Sequence, residues 1–354
     1  MKKVIIFVLI GFFITTSIIF ASTSGNRHLR LRAIVIEETR AQNEKNVQII
    51  KAKILEGKFE GKAVEFSHRL VEGSEIDIIL KKSTLIFVQI TLNQDRLVSV
   101  NFVDVVRDRY IYTMLTVFFA LLVIFGGFKG FRSFVALALT AMCILKIFMP
   151  MILSGTSFIT ATIVSSVAII VITFIVIDGI TRKSLSSILG TIGGTIISGL
   201  LAIYFGNLME IVGTAEESMQ MLILYTDLKI DYRGLLYSGI TIGALGAVMD
   251  VSMTVSSVIF EIKKKKPNIK KTSLMLSGIS VGRDVMATMT NTLILAYAGA
   301  SFPLLFLFFY MELPFVNIIN TQQIAAEIVR SLSGSIGIIL TIPATAIIAA
   351  YNAE

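Results

Sequence analysis

The sequence predicts a mainly α-helical protein: a polytopic membrane bundle preceded by a small extracytoplasmic β-barrel-like domain. Three observations carry this reading. The 354 residues are 55% hydrophobic and only 16% charged, with a mean hydropathy of +0.81, outside the range of soluble globular chains. The apolar residues are gathered into runs of about 17 to 25, the length that carries a helix across a hydrocarbon core about 30 Å thick. Near the N-terminus the pattern changes to alternation rich in β-branched residues, the period of half-buried strands.

In chain order, Met1-Lys2-Lys3 followed by the apolar run Val4 to Phe20 forms an export segment. Ala21, Ser22 and Ser24 suit a peptidase, whereas Ile19 and Phe20 fit poorly just before a cut. Residues 1–24 therefore read equally as a signal peptide or as a retained membrane anchor, and both place residues 25–108 outside. There Arg32-Ala33-Ile34-Val35-Ile36 and Ile76-Asp77-Ile78-Ile79-Leu80 alternate, with turn signals at Glu56-Gly57-Lys58, Glu60-Gly61-Lys62 and Glu72-Gly73-Ser74. Five or six short strands in a compact barrel, of the oligonucleotide/oligosaccharide-binding kind, are the simplest shape. Such a barrel reads first as a structural cap over the membrane domain and second as a docking surface, because shape does not fix function.

Residues 109–354 form the membrane domain, with apolar runs at 111–127, 133–149, 157–177, 187–206, 234–259, 285–311 and 333–351. Seven spans follow, or eight if Ala296-Tyr297-Ala298-Gly299-Ala300-Ser301 breaks the sixth run into two crossings. With residues 25–108 outside, Lys129 and Arg132, Arg182 and Lys183, and Lys263 to Lys266 fall inside, while the loop bearing Glu210, Glu216, Glu217, Asp227 and Asp231 falls outside. This is the positive-inside pattern. It also accounts for the net charge of +8 without nucleic acid, for which no aromatic-interleaved basic groove is present. Cys143 is the sole cysteine, and His28 and His68 have no ligand-spaced neighbours, so neither a disulfide, a metal nor another cofactor is expected.

The segments 243–254, 277–284 and 288–292 are the most informative polar stretches. A carboxylate inside a span costs several kcal/mol unless paired or hydrated, which makes Asp250 a functional candidate. It lies about eleven residues, roughly 16 Å, from Glu261 at the end of its helix. If the next helix starts near Ser273, a hairpin around the lysine loop brings Asp250, Arg283 and Asp284 to one level as a buried charge cluster. Ser252, Thr254, Ser280, Thr288, Thr290 and Asn291 then supply a polar lining. If it starts at Val285 instead, Arg283 and Asp284 are interfacial. Gly243, Gly246, Gly278 and Gly282 allow close helix packing or weaken the backbone so that it lines a cavity. The same alternatives hold for the glycine echoes at 190–195, 239–244 and 334–337.

The stretches GALGAVMDVSMTVSS, SGISVGRDVMATMTNTLILAYAGASFP and SGSIGIILTIPATAIIAA resemble the hallmark segments of the YibE/F-like family of polytopic bacterial membrane proteins. The resemblance covers nearly the whole chain, including the β-rich domain, the Gly126 to Gly130 turn and the Pro150 loop. It implies fold and location, not an activity. Three functions remain. A transporter or permease would use Asp250 and Asp284 to bind a coupling proton or cation for an unidentified solute or ion, with Arg283 and Asn291 on the path. A scaffold, assembly factor or sensor would bind a protein partner through its outer domain, the charges being a structural lock. An intramembrane aspartyl protease would share a proton between the two aspartates, but Arg283 beside Asp284 disfavours that, so no enzyme is expected.

Overall fold

A computed structural model of the chain describes residues 27–40, 46–70, 78–93, 96–225 and 230–353. The expected export segment, the Glu72-Gly73-Ser74 turn and Asp227 lie outside these residues. The chain divides into two compact units, Met1–Leu121 and Leu122–Glu354, the division falling within a helix.

The first unit is an antiparallel sheet of five strands, β1 (Arg27–Arg40), β2 (Val47–Ile54), β3 (Ala63–Arg69), β4 (Leu85–Asn93) and β5 (Arg96–Val105), in the order β3-β2-β1-β4-β5. His68 of β3 meets Phe102 of β5 edge to face at 4.7 Å, so the two outer strands nearly close the sheet. Period-two alternation puts Ile50, Ala52 and Ile54 of β2 and Ile86, Val88 and Ile90 of β4 into one core, each fully buried. Of the expected Ile76–Leu80 strand, residues 76 and 77 lie outside the described residues. The described part, 78–80, is irregular, and the buried Gln48 side chain holds Leu80, accepting from its N–H at 3.0 Å and donating to its carbonyl at 3.3 Å. Gly57 and Gly61 turn the chain after β2 with φ of +79° and +82°, a region that favours glycine.

The second unit is helical. Its elements are α1 (Asp108–Cys143), which begins in the first unit and continues through a π turn and a short helix to Leu153; α2 (Phe158–Asp178); α3 (Arg182–Leu208); α4 (Glu217–Tyr225); α5 (Tyr232–Lys265); α6 (Lys271–Ala300); α7 (Phe302–Tyr310); α8 (Phe315–Ile319); and α9 (Gln322–Asn352). Five helical stretches of the described residues are long and apolar enough to cross a membrane, six if α6 and α7, bent by 62°, count as one. The first stretch spans 46 residues, twice the roughly 20 needed, and Gly127 breaks it with φ 53° and ψ −135°. The reversal is sharp: a Cβ on Gly130 would run into the Leu122 carbonyl, which a continuous helix would hold about 12 Å away. The expected turn at Gly126 to Gly130 is that break.

Local signals place the other ends. Gly179, at φ +77°, stops α2. The Thr181 hydroxyl caps α3 by accepting from the Ser184 N–H at 3.1 Å, and the Asp231 carboxylate caps α5 by accepting from the Gly234 N–H at 3.0 Å.

The helical unit has a cationic and an acidic end. At the first, Arg132 donates to the Ile177 carbonyl, Lys183 pairs with Asp178 at 2.8 Å, Asn352 donates to the Ser186 hydroxyl and Lys271 stands 4.7 Å over the Tyr351 ring. At the other, Tyr237 donates to Asn207 and Arg330 pairs with Glu216. Gln322 and Gln323, at the start of α9, share a cavity with Ala300 and Ser301. The nine residues of α7 are too few to cross. The chain therefore leaves α6 and enters α9 at the same end, and the sixth apolar run bends at Ser301.

Close contact between α3, α5 and α9 forms the centre. A Cβ on Gly194 would lie 2.9 Å from Val248 Cγ1 and 3.0 Å from the Gly337 carbonyl, and one on Gly337 would lie 2.9 Å from Ser198 Cβ. The echoes at 190–195 and 334–337 thus contain packing glycines, whereas Gly239 has open space at its Cβ position.

Candidate functional site

Helices α5 and α6 form an antiparallel hairpin around the lysine loop. A Cβ on Gly278 would lie 2.5 Å from Ile259 Cδ1, one on Gly282 would lie 3.2 Å from Val255 Cγ2, and one on Gly243 would lie 2.8 Å from the Tyr297 hydroxyl. These pairs fix the register. Counting along both helices from Gly282 and Val255 puts Asp250 opposite Ala287, and Arg283 opposite Thr254, about one 5.4 Å turn nearer the lysine loop. Because α6 starts at Lys271, Arg283 and Asp284 belong to the helix interior, roughly 18 to 20 Å from its start.

The hairpin brings the three charges to similar depth but does not bury or pair them. Asp250, Arg283 and Asp284 are all exposed, and among the described residues no ion pair joins any of them to a charged partner. The expected buried cluster is therefore not formed within one chain. Helical geometry gives the reason. The side of α5 that carries Asp250 also carries Gly239, Gly243 and Gly246, four exposed positions at steps of three and four. It is turned away from the seam that holds Val251, Val255 and Ile259, each fully buried. Arg283 shares a stripe with Thr290 and Tyr297, seven residues apart, and so flanks the glycine groove that the Tyr297 hydroxyl closes over at Gly243.

Of the expected polar lining, Ser280, Thr288 and Asn291 are exposed, and Thr254 and Thr290 are half-buried. Thr254 donates to the Asp250 carbonyl and Thr288 to the Val285 carbonyl. Ser252 does not belong to the lining. It is fully buried and donates to the Ser187 carbonyl at 2.7 Å, beside the Ser187–Ser256 hydroxyl pair, in the α3–α5 seam. Two residues along a helix rotate a side chain by about 200°, enough to carry Ser252 from the open stripe to the core. Gly278 and Gly282 are packing positions, Gly243 is closed over by Tyr297, and Gly246 has nothing near its Cβ position.

A second polar group escaped the sequence reading. Arg330 pairs with Glu216 at 3.2 Å and Glu327 at 3.4 Å, and lies 5.7 Å from the Tyr297 ring centre. Glu216 and Glu327 line a cavity of about 240 Å³ together with Ser301, Leu304, Gln322 and Gln323. The i, i+3 spacing of Glu327 and Arg330 at the mouth of the last apolar run was the available signal. Tyr297 stands between Arg330 and Gly243 of the α5 glycine stripe.

The sequence profile of the YibE/F-like protein family matches residues 114–354. The chain belongs to the YibE/F-like family. The three hallmark segments lie within the match, which starts beyond β5 and so does not take in the sheet of this YibE/F-like protein. Within it lie the α5–α6 hairpin, the Arg330 cluster and α9. No curated protein and no solved structure matches the chain. Family and apolar helices together make this a membrane protein.

Proposed function

We propose that this YibE/F-like protein is a transporter of the cytoplasmic membrane that moves a small ion or polar solute along the open face of α5, with Asp250 binding the cargo or its coupling proton. One observation carries the reading: Asp250 stands near the middle of a 34-residue helix, on its exposed stripe, without a charged partner among the described residues. A lone carboxylate in hydrocarbon costs several kcal/mol, so it must meet water, a proton, a cation or another chain. The glycines beside it leave room for that, since Gly239 and Gly246 have no atom within 4 Å of their Cβ positions, and backbone of this kind lines hydrated cavities in transporters. The cavity beside Glu216 and Glu327 supplies a vestibule at the acidic end.

The cationic end faces the cytoplasm in this proposal, by the positive-inside rule, and the five-stranded sheet lies outside the cell. The many exposed apolar side chains of the helices, Phe125 at 86% and Leu200 at 61% among them, take lipid as their solvent.

The test is flux in proteoliposomes across a panel of monovalent and divalent cations and small anionic and zwitterionic solutes. Asp250→Asn should lower transport of the responsive species at least about tenfold. Absence of any Asp250-dependent flux, with a protein partner captured on the outer sheet and normal cellular function in Asp250→Asn, would return the helices to the role of an anchor for a scaffold.

A further inference from the structure

We infer that α6 is the contact helix of a homodimer, in which Arg283 and Asp284 of one protomer pair with Asp284 and Arg283 of its partner across a twofold axis running along the helices. The inference deepens the transport reading and rests on its placement of α6 in the membrane. Within one chain α6 buries Leu274, Gly278, Gly282 and Leu293. On the opposite side, Ser277, Ser280, Asp284, Ala287, Asn291 and Ile294 follow one another at alternating steps of three and four, all exposed except the half-buried Ser277. A 3.5-residue repeat is the seam of a left-handed coil of two helices. Small residues with hydroxyl and amide groups are what membrane helices use to associate, and an inward asparagine sets register. Lipid solvates neither the amide of Asn291 nor the charges.

Charge order selects the occupant. Two copies inserted in the same orientation are related by an axis along the membrane normal, so their α6 helices run parallel. Arg283 of one and Asp284 of the other then differ in height by about 1.5 Å, one residue's rise. Two reciprocal pairs form where a single chain makes none. The 4–20 segment of the chain itself is a poor substitute, for it contains no charged residue. Pairing satisfies Arg283 and Asp284 at the seam and leaves Asp250, on α5, as the carboxylate available to cargo.

The experiment uses the full chain in native membranes, with Cys143 replaced by alanine and single cysteines introduced as Ala287→Cys, Ile294→Cys or, off the seam, Thr292→Cys. Oxidation should trap a disulfide dimer of twice the chain mass at 287 and 294, at least about tenfold more than at 292. Arg283→Asp should abolish the crosslink, and the swap Arg283→Asp with Asp284→Arg should restore it. No crosslink at either seam position, equal crosslinking at all three, or no restoration by the swap would overturn the dimer. So would a bridge from a seam cysteine to a second cysteine introduced as Ile10→Cys in the 4–20 segment, if it migrates as monomer. Asp250→Asn should leave the crosslink intact while removing flux. A crosslinked dimer with no Asp250-dependent flux would support the dimer and reject the transport reading, so the two failures are distinct.

Discussion

Gly246 and Gly282 share a residue type and differ in what stands over them. A Cβ on Gly282 would run into Ile342 and lie 3.2 Å from Val255 Cγ2, while one on Gly246 meets nothing within 4 Å. Gly282→Ala should therefore destabilise the fold by about 1 to 3 kcal/mol through overpacking. Gly246→Ala should be neutral or stabilising by up to about 1 kcal/mol through helix propensity. Thermal unfolding in detergent reads both, and equal midpoints would contradict the packing. In the sheet unit, the Arg107 guanidinium and the Val105 N–H hold the Asp104 carboxyl below the ordinary value. A depressed carboxyl stabilises above its unfolded pKa of about 3.9 and loses that contribution as pH falls through the folded value. Asp104→Asn should therefore narrow the difference in unfolding temperature between about pH 6 and pH 2.5, measured by circular dichroism. The effect is small, because both side chains are solvated.

At the scale of elements, the α3–α9 crossing depends on backbone proximity. Gly194→Ala would set a methyl 3.0 Å from the Gly337 carbonyl, which has no rotamer by which to retreat. The cost should equal or exceed that of Gly282→Ala, and the variant should unfold at lower temperature or lose the protease resistance of α9. Ser252→Ala removes one hydrogen bond from the α3–α5 seam, an effect near 0.6 kcal/mol in membrane proteins. Element positions were legible because apolar runs, Gly127, Ser301 and the lysine loop are local signals. The facing of each helix was not. An apolar helix has little contrast between its sides, so Asp250 and Ser252 looked equivalent until α3 was seen to pack against one and leave the other open. The Arg330 cluster was hidden for a related reason, since Glu216 and Tyr297 come from elements far from Glu327 in sequence.

Across the whole molecule, the segregation of charge predicts opposite accessibility for the two ends. In a Cys143→Ala background, Lys264→Cys should react with an impermeant maleimide only after the membrane is opened, and Gln220→Cys should react in intact cells. Labelling of both from one side would refute the proposed orientation.

The order of elements, the apolar runs and the depth of Asp250 along its helix were determined by the sequence alone, because solvent preference and helical rise are local properties, whereas the depth of Arg283 waited on the start of α6 at Lys271. Only the tertiary structure decided that the last helix returns from the acidic end, that Ser252 belongs to the core, and that the three charges stay unpaired in a single chain. Those outcomes depend on which side of each helix its neighbours cover, and close packing of glycines from α3, α5, α6 and α9 sets that choice.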